Sequence, residues 1–321
     1  MPGLWRRTIS KELTEVDALL RTQTGSSNEE LDEMTRYVFD THGKHIRPSL
    51  CILSFLACGG KDSRDAVAAG AAIEIIHNAS LIHDDINDGG TMRRGRRTLH
   101  KEYSITKAIV AGDFLLAQGF SILGSSSPAV VDSIVKAASG MAESEFMQDS
   151  VERSVDVSED EYMEIITGKT AMLMMASVSI GASLAGADPK VHDSLVAYTE
   201  AVGKAFQIID DTLDVVGNAE LTGKRVGLDI LEGKPTLPLI LAIRDPKRGP
   251  RIKEVFSSPE PSMEDVCEVL ALIVETGAVE RCKEIASKMV DDAVHYLDVL
   301  EASAYKDAFL ALSRHMVERD R

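Results

Sequence analysis

Two segments of the chain share the pattern Asp-Asp-x-x-Asp. Their aspartates are Asp84, Asp85, Asp88, Asp210, Asp211 and Asp214. On a helix, the first and last aspartate of each segment stand four residues apart and share a face. An apolar run precedes each segment, so the carboxylates of a buried helix would repel one another unless a cation lay among them. Two facing sets of carboxylates predict Mg²⁺, which takes oxygen ligands and completes its shell with water and phosphate oxygens.

The segment after the first copy argues for chemistry rather than for an acidic surface. A single Asp-Asp-x-x-Asp is as typical of a solvated helix face as of a metal site, but here Gly89 and Gly90 lead towards Arg93 and Arg94. Guanidinium groups bind phosphate through two parallel hydrogen bonds. A glycine-rich loop would let them fold back over the adjacent carboxylates. Acidic and basic groups side by side predict a site for a metal and a diphosphate.

Short basic motifs containing a Gly-Lys pair recur along the chain. Their lysines are Lys44, Lys169, Lys224 and Lys234. One such pair is weak evidence, and Gly168-Lys169-Thr170 lacks the preceding glycine of a nucleotide-binding P-loop. Their number is informative because the chain is acidic: 35 Lys and Arg against 51 Asp and Glu leave a net charge of −16. An anionic substrate would need local cations and bound metal ions to reverse the field at its site.

The composition excludes several classes of protein. The net charge argues against a general nucleic-acid binder, which needs surplus cations to displace counterions from phosphates. With 44% hydrophobic and 27% charged residues, the chain is expected to be a soluble globular protein. Its four cysteines have no metal-ligand spacing, which predicts reduced thiols. Charged residues soon after the N-terminus leave no room for the apolar core of a signal peptide, and this predicts a cytoplasmic protein.

The elements that must position these groups are helices. Hydrophobic spacing is helical almost throughout, and turn residues separate segments of about 25 to 35 residues. None of the breaks reads as a domain linker, so we predict an all-α fold with one domain over residues 1–321, a bundle of roughly ten or more helices. The uncharged stretch 170–187 is at the lower edge of membrane-spanning length. Its serines and glycines favour a helix buried in the bundle, and no membrane span is expected.

In chain order, the motifs resemble those of the trans-type (all-E) polyprenyl diphosphate synthases, from about Gly43 to the C-terminus. The matching motifs are Gly43-Lys44-x-x-Arg47-Pro48, His77, Asp84-Asp85-x-x-Asp88, Arg93-Arg94-Gly95, Gly112-Asp113-Phe114-Leu115-Leu116, Glu145-x-x-Gln148, Gly168-Lys169-Thr170, Phe206-Gln207-x-x-Asp210-Asp211-x-x-Asp214, Gly223-Lys224 and Gly233-Lys234-Pro235-Thr236-Leu237-Pro238. The resemblance implies a bundle of the isoprenoid synthase type around a central cavity. It also implies condensation of isopentenyl diphosphate with an allylic diphosphate to give a linear all-trans polyprenyl diphosphate.

The resemblance assigns a role to each matching residue. Asp84, Asp88 and Asp210 would ligate three Mg²⁺ that bridge the allylic diphosphate, with Asp85, Asp211 and Asp214 in support. The residues implied to bind that diphosphate are Arg93, Lys169, Lys224 and Lys234, with Thr170 and Gln207 at the edge of its site. The residues implied to bind isopentenyl diphosphate are Lys44, Arg47, His77 and Arg94. Taken alone, a histidine on an apolar helix is more typical of a packed core position, so the role of His77 depends on the family match.

This assignment agrees with the chemistry of prenyl transfer. Ionising an allylic diphosphate leaves a carbocation and a pyrophosphate, whose charge metal ions and fixed cations such as Lys169 and Arg93 must neutralise. The alkene of isopentenyl diphosphate then attacks the cation, and loss of a proton completes a five-carbon extension. No side-chain nucleophile is needed.

Two other functions share part of the pattern. A terpene cyclase has the helical fold and an aspartate-rich motif, but it would not need a second set of cations such as Lys44, Arg47 and Arg94. A non-catalytic subunit that regulates a partner synthase is expected to lose aspartates, whereas this chain keeps both triplets.

Product length is expected to depend on the helix that carries Asp84. If the growing chain runs back along this helix, it first meets Ser80 and Ala79, the latter about 7.5 Å away at 1.5 Å per residue. Both are small, and Ile76 on the next turn is flexible enough to leave a deeper tunnel. We therefore expect a product of about five to eight isoprene units (C25–C40), with C20 as the next candidate. The resemblance and the apolar stretch 111–124 also predict a homodimer, and the product is expected to pass to a membrane.

Overall fold

The computed structural model describes residues 3–40, 43–217 and 226–318. Within these residues all regular secondary structure is helical apart from one short hairpin, which confirms the all-α prediction. The helices are α1 (Leu4–Thr8), α2 (Ser10–Gln23), α3 (Glu29–Phe39), α4 (Ile46–Ala57), α5 (Arg64–Asn87), α6 (Leu99–Glu102), α7 (Ile105–Leu123), α8 (Pro128–Ser150), α9 (Glu159–Ile166), α10 (Met172–Leu184), α11 (Pro189–Val216), α12 (Leu228–Glu232), α13 (Leu237–Ala242), α14 (Gly249–Phe256), α15 (Met263–Glu275), α16 (Ala278–Ala293) and α17 (Ala304–Val317). The hairpin pairs β1 (Met92–Arg93) with β2 (Arg96–Arg97). A π-helical turn (Thr167–Ala171) joins α9 to α10, and a 3₁₀ turn (Val294–Val299) follows α16.

The chain divides into two compact units. The first unit comprises Met1–Lys136, Leu173–Ala197 and Tyr296–Ser313. The second unit comprises Ala137–Met172, Tyr198–His295 and Arg314–Arg321. The single domain over residues 1–321 and its central cavity stay predictions.

Helix α5 is at the centre of the first unit, where it packs against α2, α4 and α7. From Ala66 to Ile76 its side chains are buried on nearly every side. Glycines let α7 approach closely: a Cβ at Gly119 would lie 2.5 Å from Ile76 Cγ1, and one at Gly112 would lie 2.3 Å from His83 Nε2. Each fully buried isoleucine contributes about 1.5–3 kcal/mol. The last turn of α5, which carries the first aspartate segment, is therefore fixed by a deeply buried helix.

The second unit has its own apolar core, which lies mainly among helices α12 to α16. Helix α13 packs against α9, α14, α15 and α16. Two serines begin helices at the edge of this core by accepting backbone N–H groups: Ser262 begins α15, and Ser158 begins α9 in a reciprocal capping box with Glu161. This core supports the segments that carry the second aspartate motif and the neighbouring lysines of the same unit.

Among the residues that the structure describes, three helical stretches are long and apolar enough to cross a membrane, judged by length and composition. They are Arg64–Asn87, Ile105–Leu123 and Glu159–Leu184. In the first and third, 72% and 78% of the most apolar window is buried, whereas in Ile105–Leu123 only 28% is buried. The stretch 170–187, predicted to be a buried helix, lies largely within the third. That none of these helices crosses a membrane stays a prediction.

The contact between α10 and α4 leads to a stability prediction. A Cβ at Gly181 would lie 2.1 Å from the carbonyl oxygen of Cys51, and Ser54 Oγ donates to the carbonyl of Val178 at 2.9 Å beside it. Alanine favours a helix over glycine by up to about 1 kcal/mol, but overlap with a backbone oxygen forces the helices apart at about 1–3 kcal/mol. We therefore expect Gly181→Ala to lower the thermal unfolding temperature by several degrees. Ser183→Ala, at a half-buried position of the same helix, serves as the control, and an unchanged or higher unfolding temperature for Gly181→Ala would contradict the expectation.

Candidate active site

The first aspartate segment lies at the end of α5, and its three carboxylates have different surroundings. Asp84 and Asp88 are half-buried, whereas Asp85 is buried. Arg93 Nε donates to both carboxylate oxygens of Asp85, at 2.8 and 2.9 Å. Burial raises the pKa of Asp85, and the neighbouring Arg93 opposes that rise. Asp85 therefore binds and orients the arginine, while Asp84 and Asp88 stand one turn apart on one face of the helix.

The basic segment after these aspartates forms a hairpin rather than a loop. Its turn residues, Arg94 and Gly95, have φ values of 50° and 76°, as a tight two-residue hairpin turn requires. Thr98 secures the base of the hairpin, because its Oγ1 donates to the carbonyl of Gly90 at 2.7 Å and its N–H to that of Thr91 at 3.1 Å. The hairpin thus fixes Arg93 beside Asp85 in the first unit.

Three residues predicted to bind isopentenyl diphosphate lie together in the first unit, where Arg47 and His77 are half-buried and Arg94 is more exposed. Arg47 Nη1 lies 3.0 Å from His77 Nε2. Burial, followed by the charges of Arg47, Arg94 and Arg93, lowers the pKa of His77 well below its usual value. Burial lowers the pKa of Arg47 to about 10, with Arg94 acting in the same direction and Glu74 opposing it. Burial also lowers the pKa of Arg94.

An unpaired buried donor shows what this cluster can bind. Among the residues that the structure describes, Arg47 Nε is buried and has no hydrogen-bond partner. A small, partly open pocket beside the cluster is lined by Gly43, His45, Glu74 and Arg94 among others. Lys44 lies in the segment before α4, and its carbonyl accepts a hydrogen bond from Arg6 Nη2 at 3.1 Å. A buried donor among mutually repelling cations is suited to an anion with several acceptor oxygens.

In the second unit, the predicted residues form a hydrogen-bonded chain. Thr170 Oγ1 donates to Gln207 Oε1 at 2.6 Å, and Gln207 Nε2 donates to Asp211 Oδ1 at 2.7 Å. The hydroxyl of Tyr162 donates to the other oxygen of Asp211 at 2.6 Å. Burial raises the pKa of Asp211, and these two hydrogen bonds oppose the rise. Both oxygens of Asp211 therefore bind protein donors.

Lys169 lies on the π-helical turn, a feature that is frequent at functional sites. Its ammonium lies 3.1 Å from Glu145 Oε2 and donates to Gln148 Oε1 at 3.2 Å. These two residues form the matched Glu145-x-x-Gln148 motif, so the structure brings the motif together with the lysine. The Lys169 side chain is three-quarters buried, and two acceptors orient its ammonium.

The last aspartate of the second segment and Lys234 both lie near the short helix α12. Asp214 accepts the backbone N–H groups of Leu228 and Asp229 at 3.3 and 3.1 Å, as a carboxylate at a helix N-terminus does. Lys234 follows the end of this helix, and its ammonium lies 2.7 Å from Glu232 Oε2. Lys224, which the sequence assigned to the same diphosphate, lies outside the described residues.

The six aspartates differ in exposure and in the protein groups that they contact. Asp85 binds Arg93, and Asp211 binds Tyr162 and Gln207. Asp214 accepts backbone N–H groups. These contacts fit the supporting roles that the resemblance implies. Asp84 and Asp88 are half-buried and Asp210 is exposed. In the described ranges, no group of three or more His, Cys, Asp or Glu side chains could by itself hold a metal ion. Mg²⁺ commonly uses one or two carboxylates together with water and substrate phosphates, so the oxygen donors of these aspartates fit it.

The three residues expected to set product length differ in their burial and in what they contact. Ile76 packs against Gly119 of α7, and Ala79 is fully buried between Ile76 and His83, the two residues that contact α7 glycines. Ser80 is half-buried, and its Oγ donates to the carbonyl of His77 at 2.8 Å. Ser80 therefore lies on the face of α5 that carries His77, three residues before it, and Asp84, four residues after it.

Sequence reasoning missed Tyr162 and Glu74. Tyr162 is four residues after the capping serine of α9, but no spacing links it to Asp211, which is 49 residues further along the chain. Glu74 is only 4% exposed and opposes the lowering of the pKa of both Arg47 and Arg94. The Glu-x-x-His spacing of Glu74 and His77 was visible in the sequence, but it is equally a di-iron pattern.

Comparison with known proteins covers nearly the whole chain. Residues 28–273 match the family model described as Polyprenyl synthetase. The chain is 38% identical to a geranylgeranyl pyrophosphate synthase of Geoglobus acetivorans, over 95% of each chain, and 32% identical to the octaprenyl diphosphate synthase of Escherichia coli, over 97% of each. Its fold is similar to that of a polyprenyl synthase from Caulobacter crescentus complexed with calcium and isoprenyl diphosphate, with a TM-score of 0.94 at 29% identity, covering 99% of this chain and 98% of that one. The chain belongs to the polyprenyl synthetase family of prenyltransferases.

Proposed function

We propose that this enzyme condenses isopentenyl diphosphate with an allylic diphosphate to give a linear all-trans polyprenyl diphosphate. The cluster around Arg47 carries the proposal, because the buried, unpaired Nε of Arg47 beside a second arginine favours binding of an anion. In the same unit, Asp84, Asp88 and Arg93 supply the carboxylates and the guanidinium that a metal-bound diphosphate needs. An anion site and a metal site within one unit match the needs of a reaction with two diphosphate substrates.

In this proposal Lys44, Arg47, His77 and Arg94 bind the diphosphate of isopentenyl diphosphate. His77 stays neutral near pH 7 because its pKa is held well below the usual value. A neutral imidazole beside Arg47 orients the guanidinium through its ring nitrogen instead of adding to the repulsion. The arginines then present forked donors to phosphate oxygens.

We assign Arg93, Lys169, Lys224 and Lys234 to the allylic diphosphate, with Thr170 and Gln207 at its edge. When bound, Mg²⁺ would neutralise charge on the departing pyrophosphate, and Asp84, Asp88 and Asp210 are the residues proposed to bind it, with three ions expected. Arg93 is oriented by Asp85, and Lys169 by Glu145 and Gln148. Side chains positioned beforehand stabilise charge without reorganising during the reaction.

The residues around these sites promote bond breaking without forming a covalent intermediate. The carbon–oxygen bond of the allylic diphosphate breaks, leaving pyrophosphate on the cations and a carbocation in the apolar part of the site. The double bond of isopentenyl diphosphate supplies the electron pair for the new carbon–carbon bond. A proton then leaves the adjacent carbon, and we propose pyrophosphate as its acceptor.

Replacing a proposed metal ligand should strongly reduce prenyl transfer. We expect the wild-type chain, incubated alone with radiolabelled isopentenyl diphosphate, an allylic primer and Mg²⁺, to make chain-extended diphosphates. Asp84→Ala or Asp210→Ala should reduce turnover by about 10²-fold or more, because each removes about 3 kcal/mol of electrostatic stabilisation of the leaving group. Asp291→Ala, at an exposed aspartate of α16, is the control. Near-normal turnover of a folded Asp84 or Asp210 variant would overturn the metal assignment, and a wild-type chain that makes no extended product would overturn the function.

Product length is proposed to be about five to eight isoprene units, with C20 as the next candidate. Small side chains at Ala79 and Ser80 support this range, and the related proteins include synthases named for geranylgeranyl and for octaprenyl products. We expect Ala79→Tyr and Ser80→Phe to shorten the product by placing a ring one turn from Asp84. Because Ala79 is packed near α7 and Ser80 is half-buried, Ser80→Phe should shorten the product with less loss of stability.

Chromatography of the dephosphorylated products measures the product length of each variant. Ser287→Phe, which adds the same ring at an exposed position of α16, should leave the product distribution unchanged. A wild-type enzyme that stops at C15, or variants at both Ala79 and Ser80 with unchanged products, would show that other residues limit the chain.

We also propose a homodimer formed through α7. This helix exposes Ile105, Ile109 and Val110, with 56%, 42% and 55% of each side chain accessible. Such a row of apolar residues on a helix is typical of a partner-covered face. The proposal rests on this face together with the family resemblance.

The mass in solution tests the dimer. We expect light scattering at micromolar concentration to give twice the chain mass of 34.8 kDa, and Val110→Asp to shift the mass towards one chain by placing a charge in the interface. Val274→Asp, at a similarly exposed valine of α15, should leave the mass unchanged. A monomeric wild type would contradict the proposal.

A further inference from the structure

Arg153 has a backbone conformation that its residue type disfavours. Among the described residues, three that are not glycine have positive φ: His45, Arg94 and Arg153, the last with φ 57°. Strained backbone persists only where the surrounding structure holds it in place. His45 and Arg94 belong to, or adjoin, the proposed isopentenyl diphosphate site. Nothing in the proposed reaction so far accounts for Arg153.

Three hydrogen bonds hold Arg153 in this conformation. Its backbone N–H donates to the carbonyl of Gly233 at 2.7 Å, and its Nη2 donates to the carbonyl of Leu231 at 2.6 Å. Its Nη1 reaches the carbonyl of Phe256 at 3.4 Å. The side chain is only 19% exposed. Two of the three acceptors belong to one turn, residues 231–233, which directly precedes Lys234.

Arg153 also determines which residue can occupy position 233. Gly233 ends α12 with φ 77°, and a Cβ there would lie 2.5 Å from Arg153 Cγ. The glycine of this Gly-Lys pair is therefore required both by its backbone conformation and by the arginine packed against it. The N–H of Lys234 then donates to the carbonyl of Asp229 at 2.7 Å, and its ammonium lies 2.7 Å from Glu232.

We infer that Arg153 is a positioning residue for Lys234, acting on the diphosphate through the turn that it clamps. The inference rests on the proposed function, in which Lys234 binds the allylic diphosphate. A planar guanidinium can bond two carbonyls at fixed separation, whereas a lysine at this position would bond one. Misplacing a binding group by 1 Å is enough to impair its function. Loss of the hydrogen bonds that hold residues 231–233 should therefore weaken diphosphate binding, although Arg153 itself does not contact the diphosphate.

A double-mutant cycle separates this role from general stabilisation. Affinity for inorganic pyrophosphate in the presence of Mg²⁺ is measured by titration calorimetry for the wild type, Arg153→Ala, Lys234→Ala and the double variant. We expect Arg153→Ala to weaken pyrophosphate binding about ten-fold when Lys234 is present and less than two-fold when Lys234 is already replaced, since residues that act as a unit are not additive. In turnover assays, the KM for the allylic diphosphate should rise while that for isopentenyl diphosphate stays within about two-fold.

Three further variants sharpen the result. Arg153→Gly removes the backbone strain together with the guanidinium, so it should fold at least as well as Arg153→Ala and show the same loss of affinity. Arg153→Lys should not restore the affinity. Arg251→Ala, an arginine of the same unit whose hydrogen bonds are to surface carboxylates, should bind pyrophosphate as the wild type does.

Two outcomes would overturn the inference. One is an equal loss of affinity from Arg153→Ala with and without Lys234, and the other is wild-type affinity in a folded Arg153→Gly variant. If the wild type binds pyrophosphate and the cycle shows coupling but no chain-extended product forms from the two substrates, the proposed function fails while the positioning role stands.

Discussion

Repulsion between the guanidinium groups of Arg47 and Arg94 is the constraint on which the candidate site depends. The two arginines lie beside His77 in the first unit, and loss of solvation lowers the pKa of all three side chains, which keeps the imidazole neutral. An isolated buried charge is strongly unfavourable, so the surrounding fold must supply the free energy that keeps the cluster assembled. Helix α5 does this, because apolar side chains surround most of it and its polar groups, apart from those of the first turn, begin at Glu74. The buried carboxylate of Glu74 offsets part of the repulsion, and the rest makes the cluster receptive to an anion.

Repulsion between like charges also acts among the aspartates, whose carboxylates are negative. Equal spacing in the sequence made the three members of each segment look alike, and the first and last of each were rightly placed on one helix face. Tertiary partners make them different: Asp85 is bound by Arg93, Asp211 by Tyr162 and Gln207, and Asp214 by backbone N–H groups. Sequence spacing could not predict this division, because partners such as Tyr162 lie far away along the chain and no local periodicity links them.

The sequence predicted secondary structure correctly where hydrophobic periodicity was strong. It did not predict the short irregular elements, which have no such periodicity. The long helices that carry both aspartate segments follow from their apolar spacing. The glycine-rich segment after α5 was expected to be a loop, yet it forms a hairpin whose strands of two residues are too short to show alternation. The π-helical turn around Lys169 could not be predicted either, because the same residues would fit an ordinary α-helix. In both places a small backbone irregularity decides where a cationic side chain points.

The left-handed backbone at His45, Arg94 and Arg153 has a consequence for how this protein can change over generations. Glycine or asparagine would relieve the strain at each of these positions, so selection for thermal robustness alone would favour the loss of their side chains. Selection for turnover would favour keeping the side chains of Arg94 and Arg153, to which the proposals give a role. Backbone strain and activity are therefore opposed at these two positions, and a lineage adapting to heat would have to find its added stability elsewhere in the chain.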